Sequence, residues 1–129
     1  MSVRPTIKHL LIIDDEEGPR RSLELLFEGE FTITTASSGL EALKLLQEQQ
    51  FPIVITDLLM PDMSGIEVLE EVKLRSPNTE VILITAYGTL DSAQRAIALG
   101  VSGYVQKPFD VGHIREVVMG SYENYIRKG

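Results

Sequence analysis

Four apolar runs in this chain each stop on a side chain equipped for chemistry. Leu10–Ile13 ends at Asp14 and Asp15, Ile53–Ile55 runs on to Asp57, Val81–Ile84 ends at Thr85, and Tyr104-Val105 leads to Lys107. An unpaired ionised carboxylate is costly where water is scarce. Each acid is therefore either a polar stub at an exposed strand end or part of a site. If the ends converge, three carboxylates, a hydroxyl and an ammonium share one crevice. Two carboxylates about 4 Å apart repel by roughly 4 kcal/mol at an effective dielectric near 20, and one lysine offsets only part of that. Such a cluster destabilises a fold unless it binds a cation. Oxygen donors select a hard ion, and few protein ligands with room for water suit Mg2+ better than a Ca2+ cage. The stretch DDEEGP also lacks the spacing of an EF-hand loop. A metal beside a carboxylate, a hydroxyl and a lysine suits phosphoryl transfer, with the cations neutralising charge and the carboxylate attacking. Asp57 is the candidate nucleophile, held by the run before it and the Met60-Pro61 turn after it.

The elements that must position these groups follow from periodicity. The runs at 10–13, 53–55 and 81–84 are near-continuous and rich in Ile and Val, which suits strands covered on both faces, as in a parallel sheet. FTITT (31–35) alternates apolar residues with threonines and reads as an edge strand with one wetter face. Tyr104-Val105 is a short fifth strand, stopped at Lys107-Pro108 because proline lacks an N–H for the ladder. Between them lie helices with recognisable starts. Pro19 suits a first helical position, with Leu23, Leu26 and Phe27 on one side. Ser38-Gly-Leu-Glu41 and Ser64-Gly-Ile-Glu67 both match a capping box. Thr89 or Asp91 opens a fourth helix closing at Gly100, with Leu90, Ala93, Ala96 and Ile97 as its inward side. Asp110 caps a fifth carrying Ile114, Val117, Val118 and Tyr122. Alternating strands and helices predict a doubly wound α/β fold of three layers, with a five-stranded parallel sheet in the order 2-1-3-4-5. In such a sheet ligands bind beyond the carboxyl ends of the strands, where the five polar groups lie.

The 129 residues suffice for one ordinary domain, with its core over about 8–125, and 43% hydrophobic content supports a buried core. Without cysteine, neither a disulfide framework nor a thiolate metal site is possible. The start has no signal-peptide pattern, and nothing approaches the roughly 20 apolar residues of a membrane span. A cytoplasmic location without membrane contact is expected. A net charge of −7 and a pI near 4.8 argue against direct nucleic-acid binding, which needs a basic face.

Taken together, Asp14-Asp15, ITDLLMPDMSG, LITAY with Thr85, and Tyr104-Val-Gln-Lys107-Pro108-Phe109 resemble the receiver domain of bacterial two-component response regulators. That family has the flavodoxin-like fold of the chemotaxis protein CheY. The resemblance covers about Lys8 to Tyr125, and TAYGTLDSAQRAIALG followed by GYVQKPF looks most like receivers of NtrC-type transcription activators. It implies that Asp57 accepts a phosphoryl group from a sensor histidine kinase, or from a small donor such as acetyl phosphate. Asp15, Asp57 and the backbone carbonyl of Leu59 would bind Mg2+, with Asp14 acting largely through water. Thr85 and Lys107 would contact the phosphoryl oxygens, Tyr104 would change rotamer as Thr85 moves, and Lys107-Pro108 would be cis. The response would reach an output domain or target protein through the surface of helix four, strand five and helix five, with phosphorylation-dependent homodimerisation there. No turnover beyond the domain's own phospho-aspartate is expected. The chain ends directly after the fifth helix, so no output domain is expected within it.

Rival readings fare worse. A haloacid-dehalogenase-like Mg2+ phosphatase also uses a strand-end Asp, but needs a second acid two residues on, where this chain has Leu59. A flavodoxin-like nucleotide or flavin binder wants a phosphate-cradling loop after the first strand, whereas DDEEGP is anionic. A receiver-like module that only binds protein would not need the complete set of acids, Thr85 and Lys107. Glu16 and Glu17 read as first-turn residues favoured by the helix dipole and are not counted as ligands. His9 and His113 have no partner pattern and no assigned catalytic role.

Overall fold

The computed structural model describes residues 8–128. The signal-peptide reading of the first seven residues lies outside the described residues. Five strands, β1 (His9–Ile13), β2 (Thr32–Ala36), β3 (Ile53–Asp57), β4 (Glu80–Thr85) and β5 (Gly103–Gln106), form one sheet. They alternate with α1 (Glu17–Phe27), α2 (Gly39–Glu48), α3 (Gly65–Arg75), α4 (Leu90–Ala98) and α5 (Val111–Lys128). All pairings are parallel and the order is β2-β1-β3-β4-β5, as the alternation predicts.

Side chains alternate across each strand, so each apolar run feeds two cores. Leu11, Ile13, Val54, Val81 and Leu83 pack with Ala42 of α2, Leu69 and Val72 of α3 and Ala96 of α4. Leu10, Ile12, Ile53, Ile55, Ile82 and Ile84 pack with Leu23 and Phe27 of α1 and Ile114, Val118 and Tyr122 of α5. Each fully buried aliphatic side chain contributes roughly 1.5–3 kcal/mol relative to exposure. The central slab is therefore the rigid part of the molecule.

Local signals were read with small displacements. β2 begins at Thr32, because the Phe31 amide still bonds the Phe27 carbonyl at 2.9 Å. Pro19 is the third residue of α1 rather than the first; amides throughout the first turn lack helical partners, so its missing N–H costs little there. Ser64 and Glu67 complete a capping box, whereas Ser38 caps the Glu41 amide alone and the Glu41 carboxylate turns to Ser37. Thr89 caps α4 with Ser92 as its reciprocal partner, and Asp110 accepts from the His113 amide at 3.0 Å.

One expectation holds only in part: Ala96 and half-buried Ala93 lie on the inward side of α4 as expected, but its two large apolar residues do not. Ala96 is the only residue of α4 that is fully buried, while Leu90 and Ile97, expected on the inward side, are 76% and 69% exposed. The helix is turned so that its small residues face the slab and its large ones face outward. A second feature has no apolar signature: Glu80, at the start of β4, is buried. Its Oε2 lies 3.1 Å from Lys128 Nζ and 4.0 Å from Lys73 Nζ, and accepts from Ser102 Oγ at 2.9 Å. Among the described residues no helix is long and apolar enough to cross a membrane.

Candidate functional site

Parallel pairing brings the carboxyl ends of the strands to one edge. Asp14 directly follows β1, Asp57 closes β3, Thr85 closes β4 and Lys107 directly follows β5. These strands are consecutive neighbours, with Ile13 opposite Thr56, Asp57 opposite Ile84 and Thr85 opposite Gln106. Asp15 stands beside Asp14 at this edge, and Leu59 lies two residues beyond Asp57 in the loop that leaves it.

Each is held by specific bonds. Asp14 is 2% exposed; its Oδ1 accepts from the Glu16 amide at 2.9 Å and its Oδ2 lies 3.3 Å from Lys107 Nζ. Arg20 donates to the Asp14 carbonyl at 2.8 Å, pinning the loop that follows β1. Asp57 Oδ1 accepts from the Leu58 amide at 2.9 Å, while no hydrogen bond among the described residues reaches Oδ2. Thr85 is buried, and its hydroxyl accepts from the Tyr87 amide at 3.0 Å. The Lys107 amide donates to the Thr85 carbonyl at 2.8 Å, and the Lys107-Pro108 bond is cis. Tyr104 is half-buried with its hydroxyl 2.7 Å from Ser92 Oγ, so the aromatic on β5 is tied to the first turn of α4. Gly65 follows because a Cβ there would stand 2.4 Å from the Asp57 carbonyl oxygen.

The electrostatics match a cation site. Burial pushes the Asp57 carboxyl up to about 6; Lys107 pulls it down, Asp14 and Asp15 push it further up, and the Leu58 amide lowers it. Lys107 thus offsets only part of the combined effect of burial and the neighbouring acids. Carboxylate oxygens of Asp14, Asp15 and Glu16 lie within 4.8 Å of one another, and the donors available are oxygens throughout, the set a hard divalent ion takes. Glu16 was set aside in the sequence because it resembled a first-turn acid. It stands at the N-cap of α1 without a side-chain capping bond, so its carboxylate is left to the cluster. Arg20 and Asp62 were also missed. Their roles depend on partners distant in the chain or on the path of a loop, for which no local pattern exists.

Residues 10–119 match the response regulator receiver domain family. The chain is 39% identical over 110 residues to response regulator protein PilR of Pseudomonas aeruginosa, covering 84% of this chain but only 24% of that protein. It is 38% identical to sporulation initiation phosphotransferase F of Bacillus subtilis, covering 84% of this chain and 89% of the relative. Among solved structures, the beryllofluoride-activated receiver domain dimer of NtrC4 superposes with a TM-score of 0.87 at 35% identity, covering 92% of this chain and 99% of the other. TrrA of Thermotoga maritima, in complex with Mg2+ and beryllofluoride, gives 0.80 at 34% identity, covering 89% and 99%. With the fold, the edge cluster and a match over most of its length, the chain belongs to the receiver domain family of two-component response regulators, the phosphorylation-dependent switches of those systems.

Proposed function

We propose that Asp57 is the phosphoacceptor of this switch. The observation that carries the reading is the Asp57 carboxyl itself: buried at a strand end, raised to about 6, and subject to the opposing charges of Lys107 and of Asp14 and Asp15. Its Oδ1 is occupied by the Leu58 amide, which leaves Oδ2 to attack. That oxygen forms the P–O bond as the P–N bond of a donor phosphohistidine, or the acyl-phosphate bond of acetyl phosphate, breaks. Lys107 meets the phosphoryl oxygens as an ammonium and Thr85 as a hydroxyl donor. Asp14, Asp15, Asp57 and the Leu59 carbonyl would hold Mg2+, with Glu16 near enough to contribute through water. Bound there, the ion would relieve the carboxylate repulsion and neutralise charge on the transferring group.

The partners follow from the family: a sensor histidine kinase as donor, and an output domain or separate target that reads the face of α4, β5 and α5. Tyr104 changes rotamer as Thr85 engages the phosphoryl group, and self-association through that face accompanies phosphorylation. Residues from about 8 to 125 act as one cytoplasmic receiver unit with no substrate turnover beyond the phospho-aspartate. The acidic surface leaves nucleic-acid contact to others. Incubation with acetyl phosphate and Mg2+, followed by intact mass measurement, tests the centre of this reading. Wild type gains one phosphoryl mass and Asp57→Asn gains none; equal labelling of both would refute Asp57 as acceptor.

A further inference from the structure

The β3–α3 loop, residues 58–64, carries the Leu59 carbonyl and begins at Asp57. At its start the Leu58 amide bonds the Ile84 carbonyl at 3.2 Å and the Asp57 carboxylate at 2.9 Å. At its end Ser64 caps α3. Between these points the chain is fastened from outside, by a helix far away in sequence. Asp62 Oδ1 accepts from the Gly39 amide at 3.2 Å and Oδ2 accepts from the Leu40 amide at 2.8 Å. Both oxygens are thus spent on the first two amides of α2, where partial positive charge concentrates. The Ser38 hydroxyl takes the third, that of Glu41, at 3.1 Å. The bonds from Leu40 and Gly39 hold the Asp62 carboxyl below its usual range. Met63 then packs on Gly39 so closely that a Cβ at position 39 would lie 2.1 Å from its Cγ.

We propose that Asp62 is a positioning residue for phosphoryl transfer: its carboxylate ties the β3–α3 loop to the first turn of α2 and so fixes where the Leu59 carbonyl stands. A helix of its own supplies Ser38 as a cap, so stability alone does not call for a second cap from more than 20 residues away. A tether between the loop and the helix suits a carboxylate, whose two oxygens here each take one of two successive amides. The proposal rests on the Mg2+ reading above, in which Leu59 supplies a backbone ligand. Groups that orient a ligand typically change metal affinity by about 10–100-fold when lost.

Two variants of the full chain separate positioning from helix stability. Asp62→Ala removes the tether and part of the α2 cap; Ser38→Ala removes the rest of the cap and leaves the tether. Mg2+ affinity, read from melting temperature against MgCl2, should fall about tenfold in Asp62→Ala and stay unchanged in Ser38→Ala. Amide exchange at Leu58 and Gly65, whose amides bond the Ile84 and Leu58 carbonyls at the two ends of the loop, should quicken only in Asp62→Ala, and Asp62→Asn, which keeps one acceptor oxygen, should recover part of both effects. Equal loss of affinity in the two alanine variants would show that Asp62 acts through α2 alone, and unchanged affinity in Asp62→Ala would overturn the tether outright. A wild type indifferent to Mg2+ would remove the metal reading together with this one, an outcome recognisable because all variants would then be equally flat.

Discussion

Ionising Asp57 in the metal-free fold works against burial and against the charges of Asp14 and Asp15, and Lys107 offsets only part of that. A carboxyl held at about 6 rather than 3.8 binds its proton more tightly folded than unfolded, so the sign of its linkage is fixed. Its contribution is fully favourable below the unfolded value and is lost as pH rises through about 6. The full displacement corresponds to roughly 3 kcal/mol, which solvent at the crevice mouth screens to about 1–2 kcal/mol. Asp57→Asn keeps the shape and cannot ionise. In EDTA it should therefore be more stable than wild type by that margin at pH 7 to 8, and the two should converge near pH 4. Urea midpoints across that range measure it; a pH-independent gap would mean that some other feature of the substitution sets the difference. Asp57, Asp14, Asp15, Thr85 and Lys107 were legible because each terminates an apolar run. Asp62, Arg20 and Glu16 were not, since an acid or arginine in a polar loop looks the same in sequence whether it holds a partner or only water.

Among the elements, α4 is anchored least. Ala96 is its only fully buried residue, and an alanine methyl buries little area at roughly 25 cal/mol per Å2. A polar tie, the bond from Tyr104 to Ser92, adds to this. Weakly held elements are those a modest binding energy shifts. Beryllofluoride with Mg2+, standing in for the phosphoryl group, should alter amide exchange most across Ala86–Gly100 and Tyr104–Phe109. A change limited to the loops after β1 and β3 would send the signal elsewhere. The strands and their order were readable from near-continuous Ile and Val runs, and helix starts from their capping residues. The facing of α4 was readable only in part: Ala93 and Ala96 turn inward as expected. With alanines and a serine available to face the slab, apolar periodicity alone does not decide which side turns inward, and Leu90 and Ile97 ended outside.

At the scale of the whole molecule, one buried acid binds distant parts together at the edge opposite the site. Glu80 joins β4 to Lys73 of α3, Ser102 of the α4–β5 connection and Lys128 in the last turn of α5. Burial lowers the Lys73 ammonium, and Glu80 counters that. Removing one member of a buried pair leaves the other uncompensated. Because both lysines retain access to water, Glu80→Ala should cost about 1–3 kcal/mol in urea unfolding rather than the larger penalty of a sealed pair. Glu80→Gln, which keeps an acceptor for Ser102, should lose less. No loss in either variant would make the cluster a surface ornament. The opposite edge has a different character. β1, β3, β4 and β5 stand side by side, each handing over its group at the same rim, so distances there are counted in strand separations of roughly 4.8 Å. Backbone ladders set that ruler, and no helix surface takes part in it. Replacing the outward residues of the helices, Leu90 and Ile97 among them, would therefore leave the spacing of the groups at this rim as it is.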